Sequence, residues 1–175
     1  MADRNPAHAL DVIRRVEMMC DFIENPAIIA AVEQAVPVCM PRLPGALGFD
    51  VTLWVGLGMA GLWAALDKFS ETAILPNPKC VTCAKRCMPE RFTACTQGNE
   101  GLTLEELEDF RHLYAHNYAG EADDAYFARK RHVLKSATPV QLTCGAQFDG
   151  RRLQLDLRHL RTYSQTARNV LRRYQ

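Results

Sequence analysis

An apolar run from Val51 to Leu66 constrains the fold more than any other feature of the sequence, because Thr52 is its only polar residue. A membrane-spanning helix needs about 18 or more apolar residues, so this run is too short to cross a bilayer. A helix that is hydrophobic on every side is normally buried by its neighbours. The run therefore predicts a core helix that other helices cover, and a protein without a membrane span.

Three glycines within this run match a nucleotide-binding string. Gly56, Gly58 and Gly61 reproduce the G-x-G-x-x-G spacing of dinucleotide-binding turns. That fold also requires an acidic residue about 20 positions further on, at the end of a second strand, and an alternating order of strands and helices. Neither follows here. The glycines instead predict small positions at which a neighbouring helix approaches the backbone closely.

Two asparagine–proline pairs mark the first helix starts. Asn5-Pro6 and Asn25-Pro26 each place a capping side chain before a proline that suits the first helical position. Helices are therefore predicted to begin near residues 6 and 26. A third helix, capped by Asp50 or Thr52, is predicted to run to about residue 70, after a connector rich in proline and glycine at residues 37–48.

The segment Thr103-Leu104-Glu105-Glu106 has the pattern of a helix-capping box, and Leu102 and Leu107 are placed as its hydrophobic staple. A helix is therefore predicted to start at this segment, to run through Tyr118 and to end at Gly120, which can adopt the left-handed conformation. A further helix, capped by Asp123 or Asp124, is predicted to reach about residue 134.

The C-terminal part of the chain changes from a strand pattern to a helix pattern. Apolar residues alternate on both sides of Asp149-Gly150, a tight-turn dipeptide, which predicts a β-hairpin at about residues 139–157. The spacing then becomes helical, with arginines on the opposite side, at Leu160, Tyr163, Ala167, Val170, Leu171 and Tyr174. The predicted fold is a single, mainly α domain over residues 1–175: a helical bundle with one appended β-hairpin and a cysteine-rich loop.

Charge is distributed unevenly along the chain although the net charge is only +1. Residues 129–175 contain eleven Lys or Arg against two Asp, a surplus of nine. Such a segment suits an anionic partner such as RNA, the acidic part of a second subunit, or simple solvation as a basic surface. The chain opens without the pattern of a secretory leader, so a cytoplasmic location is expected.

A cysteine-rich insertion occupies about residues 76–101. Its cysteines follow the spacing Cys80-x2-Cys83-x3-Cys87-x7-Cys95, and four thiolates at such spacing can enclose a structural Zn²⁺. Disulfide or redox chemistry and reduced packing cysteines are the alternatives. The other three cysteines, Cys20, Cys39 and Cys144, lie in apolar surroundings and are predicted to belong to the core.

Residues 111–118 contain Arg111, His112, His116, Asn117 and Tyr118. This Arg-x4-His-x-Tyr pattern resembles the HEPN domain family, in which ribonuclease members carry Arg-x4-6-His near the end of a bundle helix. The pattern is similar to that of toxins paired with nucleotidyltransferase antitoxins. The resemblance covers about residues 50–134 and the last helix, whereas the cysteine-rich loop and the hairpin look like additions.

The resemblance implies a metal-independent, homodimeric endoribonuclease of toxin type. His116 would act as general acid or base and Arg111 would stabilise phosphate charge, with His112 and Asn117 assisting binding or orientation. Tyr118 would be the residue that the partner antitoxin modifies with AMP. The chemistry agrees with these residue types, because histidine transfers protons near neutrality and the charged fork of arginine fits a phosphate.

Helix geometry and local charge leave other interpretations open. Five residues at about 100° each separate Arg111 from His116 by roughly 140° around the axis, so one helix does not easily direct both at one phosphate. A two-fold dimer would bring matching groups together. Alternatively, Arg111 lies beside the core paired with a carboxylate and the chain is a non-catalytic HEPN-like module that dimerises or binds protein or nucleotide. A zinc module that binds nucleic acid is a third possibility.

Overall fold

The computed structural model describes residues 5–35, 51–74, 88–116, 143–149 and 152–174, and the protein is mainly helical over these ranges. The elements are α1 (Ala7–Ile23), α2 (Pro26–Ala35), α3 (Val51–Phe69) followed by a π-helical turn (Ser70–Ile74), α4 (Met88–Arg91), α5 (Glu100–His116), β1 (Gln147–Asp149), β2 (Arg152–Gln154) and α6 (Leu157–Arg172). No helix within these ranges combines the length and apolar character needed to cross a membrane.

The first two helices begin where the asparagine–proline pairs predict. The Asn5 carboxamide accepts a hydrogen bond from the backbone N–H of Ala7 at 2.9 Å, and Asn25 accepts one from Ala27 at the same distance. Each bond satisfies a donor that the first turn of a helix leaves without an intrahelical acceptor. The predicted starts of α1 and α2 are therefore confirmed.

The apolar run forms α3, which packs against α1, α5 and α6. Val55, Met59, Leu62 and Leu66 are fully buried along it. The prediction of a core helix is confirmed on this side, but Leu57 is 54% exposed. The outer side of α3 thus faces solvent, because the helices that pack against it cover only part of its circumference.

The glycines of α3 allow the close helix packing that the sequence predicts. A Cβ atom at Gly58 would stand 2.4 Å from Cδ2 of Leu160 on α6, closer than two carbon atoms can approach. At Gly56 a Cβ atom would meet the Tyr114 ring of α5 at 3.2 Å. Both glycines lie within a helix rather than in a strand-to-helix turn, so the nucleotide-binding string has a packing role here.

The start of α5 differs from the prediction. The helix begins at Glu100, one turn before the Thr103–Glu106 capping box, and Thr103 lies inside it with its hydroxyl donating to the Asn99 carbonyl. The Glu100 carboxylate accepts a hydrogen bond from the backbone N–H of Gln97 at 2.8 Å. Glu100 therefore has the role in capping the start of the helix that the sequence pattern gave to Glu106. Arg173 also donates to Glu100, and this bond lowers the pKa of the carboxyl group.

The hairpin is present but shorter than predicted. β1 and β2 pair antiparallel in the register Gln147–Gln154, Phe148–Leu153 and Asp149–Arg152. Residues 143–146 precede the ladder as a turn in which Gly145 has a φ of +77°, and this left-handed conformation ends the strand pattern. At the other end, Asp156 caps α6 by accepting the backbone N–H groups of Arg158 and His159. The strand predicted to reach residue 157 therefore ends at Gln154, and α6 begins at Leu157.

The last helix follows the predicted stripe closely. Its buried residues are Leu157, Leu160, Tyr163, Ser164, Thr166, Ala167, Val170 and Leu171. They pack against α1, α3 and α5. The predicted helices and connectors at residues 36–50 and 117–134 lie outside the described residues.

Candidate functional site

Helix α5 carries the residues that the sequence singles out. Its buried side contains Leu104, Leu107, Phe110 and Leu113, whereas Arg111 is half-buried at the edge of that side and His112 is exposed. Arg111 thus lies at the flank of the apolar face, as predicted. His116 is the last described residue of the helix; its side chain, together with Asn117 and Tyr118, lies outside the described residues.

The Arg111 guanidinium stacks on an aromatic ring of the neighbouring helix. Its Cζ atom lies 3.9 Å from the ring centroid of Trp63 on α3, within the distance of a cation–π interaction. A half-buried contact of this kind contributes about 0.5–2 kcal/mol. The indole therefore lies against one side of the cation and limits the positions that the guanidinium can take.

Arg111 has no carboxylate partner among the residues that the structure describes, and within the same ranges its buried Nε atom has no hydrogen-bond acceptor. The alternative in which Arg111 pairs with a carboxylate finds no such partner within the described ranges, where the contact of the guanidinium is with the Trp63 ring. A partly desolvated cation without a counter-ion is costly. Such a group is well suited to receive an anion.

Four other arginines contrast with Arg111. Each of them binds a carboxylate of its own chain: Arg91 with Asp67, Arg161 with Asp21 and Glu24, Arg168 with Glu17, and Arg173 with Glu100. Three of these four arginines belong to the basic C-terminal segment, and their partners lie on or beside α1 and on α5. Arg161 and Arg168 of α6 and the adjoining Arg173 therefore stabilise helix packing, and their pairing reduces the charge that this part of the chain can offer to an anionic partner.

The cysteine-rich insertion is described only at its C-terminal end. The Cys95 thiol donates to the Tyr174 hydroxyl at 2.7 Å, and the Cys95 carbonyl accepts from Arg173. Cys80, Cys83 and Cys87 lie outside the described residues. Within the described ranges no group of three or more His, Cys, Asp or Glu side chains can hold a metal ion. Cys20 is fully buried and Cys144 packs against the core, as predicted, and Cys39 lies outside these ranges.

A buried carboxylate network on α5 was not predicted from the sequence. Glu106 is 1% exposed; its two oxygens accept the backbone N–H of Thr143 at 2.7 Å and the Thr143 hydroxyl at 2.8 Å. The Tyr163 hydroxyl lies 3.4 Å from the same carboxylate and 2.9 Å from the Cys144 thiol. Burial raises the pKa of Tyr163 above its usual value and that of Cys144 to about 11. The network joins α5 to α6 and to the turn before β1.

This network should make Glu106 a determinant of stability. In Glu106→Gln, the amide NH₂ replaces one acceptor oxygen, so a buried Thr143 or Tyr163 donor loses its partner, at a cost of about 1–3 kcal/mol. Urea unfolding measures this as a lower midpoint at unchanged slope. Glu105→Gln, one position away and not fully buried, is the matched control and should change stability by less than about 0.5 kcal/mol. Equal midpoints for the two variants would contradict this role of Glu106.

The signal for Glu106 was present in the sequence but had a second interpretation. A glutamate three residues after a threonine indicates a capping box, and in that role it would lie at an exposed helix start.

No family model, curated protein or solved structure matches the chain.

Proposed function

We propose that the chain is a metal-independent endoribonuclease of HEPN toxin type. The observation that carries this proposal is the stacked Arg111 guanidinium, which has no carboxylate partner among the described residues. It lies on the same helix as His116, five residues before it. A fixed cation and a proton-transfer group on one helix are the two elements that cleavage of an RNA phosphodiester requires.

The proposed reaction uses the RNA's own 2′-OH as nucleophile. Its oxygen forms a bond to phosphorus, its proton passes to a base, and the bond from phosphorus to the 5′-oxygen breaks as that oxygen receives a proton. His116 serves as the acid or base, and Arg111 stabilises the charge on the phosphate oxygens. The products are a 2′,3′-cyclic phosphate and a free 5′-OH. His112 and Asn117 are proposed to assist binding.

A homodimer is part of the proposal. Because Arg111 and His116 are separated by roughly 140° around the axis of α5, a second subunit placed against this helix would supply the missing group. The further partner is a nucleotidyltransferase antitoxin that transfers AMP to Tyr118. Such a modification would add charge and bulk two residues from His116 and so suppress cleavage.

The electrostatic attraction for RNA is assigned mainly to the part of the basic segment that precedes α6. Residues 129–152 contain six Lys or Arg, whereas Arg161, Arg168 and Arg173 are engaged with carboxylates of the chain. Neutralised arginines release few counter-ions from a nucleic acid and add little to affinity. The proposal therefore assigns the attraction to these six residues and to the exposed Arg172 rather than to the whole C-terminal segment.

A non-catalytic HEPN-like binding module is the second candidate. One observation favours it: the Trp63 stack stabilises the packing of α3 on α5 whether or not a ligand binds. Large apolar side chains are also exposed on three helices, and Met18 and Phe22, four residues apart on α1, are two that a protein partner could cover; the others are Leu57 and Leu102.

Incubation of the purified protein with RNA in excess EDTA separates the two candidates. The endoribonuclease should cut RNA at an unchanged rate and leave DNA of the same sequence intact, because DNA lacks the 2′-OH. Light scattering of the same sample should give twice the chain mass of 19.7 kDa. Intact RNA across many substrates would favour the binding module, and complete loss of cleavage in EDTA would reject the metal-independent mechanism.

A further inference from the structure

Trp63 and Arg111 form a pair in which each partner has a buried N–H group without an acceptor among the described residues. Nε1 of Trp63 and Nε of Arg111 are buried and have no acceptor within the described part of the chain. Buried donors in folded proteins almost always have acceptors, so two such groups in one contact call for an explanation. Packing alone does not provide one, since a purely apolar side chain at position 63 would bring no N–H group into this buried position.

We propose that Trp63 is a positioning residue that orients the Arg111 guanidinium toward a phosphate group of RNA. The proposal rests on the proposed function for the identity of the ligand. Arginine binds phosphate through N–H groups in the plane of its guanidinium. The indole, 3.9 Å from Cζ, occupies one side of the guanidinium, so a phosphate approaches the N–H groups from the sides that the ring leaves open. The ring in this way restricts the direction in which Arg111 can bind a phosphate.

The position of Trp63 makes this orientation rigid. It follows the fully buried Leu62 and precedes the buried Ala65 and Leu66 on α3, whose glycines allow tight packing against α5 and α6. A side chain held on such a helix loses little further freedom when its partner binds a ligand. Arg111 has several rotatable bonds, and immobilising a free arginine on binding costs affinity. Stacking on Trp63 removes part of that cost before the phosphate arrives.

Tryptophan is also the best aromatic residue for this purpose. Its ring attracts a cation more strongly than that of phenylalanine, and leucine lacks the attraction altogether. The wild type, Trp63→Phe and Trp63→Leu therefore form a series in which the cation–π attraction decreases stepwise while position 63 stays apolar. Arg111→Lys retains the positive charge but loses the planar fork, which separates the orientation of the group from its charge.

A double-mutant cycle on binding of 2′-O-methyl RNA tests the proposal without requiring cleavage. Trp63→Leu should weaken binding by about 2- to 30-fold, the range that loss of a cation–π contact implies, and Trp63→Phe by less. In an Arg111→Ala background the same substitution should have no further effect, because the group that it orients is absent. Trp54→Phe leaves Trp63 as the sole tryptophan of the chain, and its fluorescence should change on titration with the oligonucleotide.

The outcomes distinguish this role from the ribonuclease activity. Coupling between the two substitutions in binding of the 2′-O-methyl oligonucleotide, with no cleavage of unmodified RNA, would support the role of Trp63 and reject the proposed function. Cleavage of RNA with additive effects of the two substitutions on binding would overturn the role of Trp63 alone. Failure of the folded protein to bind the oligonucleotide would overturn both. Circular dichroism and urea unfolding establish that each variant is folded, and Trp63→Phe keeps the series interpretable if Trp63→Leu is unstable.

Discussion

Replacing His116 with alanine should lower the chemical rate of RNA cleavage by roughly 10²- to 10⁴-fold, the usual contribution of a positioned proton-transfer group. The loss should appear in kcat, because proton transfer occurs in the transition state and not in RNA binding. Single-turnover cleavage of a defined oligonucleotide at several pH values measures it. The wild-type rate should vary near neutrality, where histidine titrates, and the variant should lose that dependence.

The control for this substitution is His8→Ala on α1. His8 is exposed and far from α5 in sequence, so its removal should leave the rate within about twofold of wild type. Both variants must elute as folded dimers before their rates are compared. A folded His116→Ala protein with full activity would reject His116 as the acid or base.

Replacing Arg111 with alanine should reduce kcat/KM by about 10²- to 10³-fold, the range seen when one group that stabilises transition-state charge is removed. Arg111→Lys should retain only part of the activity, since an ammonium group keeps the charge but not the planar fork that stacks on Trp63. The measurement is steady-state cleavage across RNA concentrations, which separates binding from chemistry.

Arg172→Ala is the matched control for Arg111. Arg172 is an exposed arginine in the last turn of α6, and its removal changes the net charge of the chain by the same amount. A general electrostatic effect on RNA binding would make the two variants equally defective. A specific role of Arg111 predicts a much larger defect for Arg111→Ala. Equal defects would contradict the assignment of Arg111 to the site.

The predictions that succeeded depended on local patterns with one interpretation. The Asn5 and Asn25 caps needed only their own helix turn, and the stripe of α6 needed only a regular spacing of apolar residues. The close approach at Gly58 also followed from sequence, because a run of small residues in an apolar helix has few other uses. These features could be read without knowing the partner element.

The predictions that failed depended on partners distant in sequence. Glu106 lies in a capping-box pattern, but its oxygens bind Thr143 across the fold, and Glu100 caps the helix one turn earlier. The local sequence pattern does not show whether Glu106 caps its own helix or binds a distant segment, because either role satisfies its carboxylate. The contact of Arg111 with Trp63 likewise joins two helices, whereas the sequence motif contains Arg111 alone and gives no indication of Trp63. Tertiary packing therefore decided the site's geometry.

End-group analysis of RNA fragments made in EDTA tests the central claim most directly. Attack by the neighbouring 2′-OH should leave 2′,3′-cyclic phosphate ends and free 5′-OH ends at the first time points, with His116→Ala producing neither above background. Mass spectrometry of a short oligonucleotide resolves these ends. Linear 3′-phosphate or 3′-OH ends without a cyclic intermediate would contradict the proposed mechanism, because they require water rather than the 2′-OH as the nucleophile.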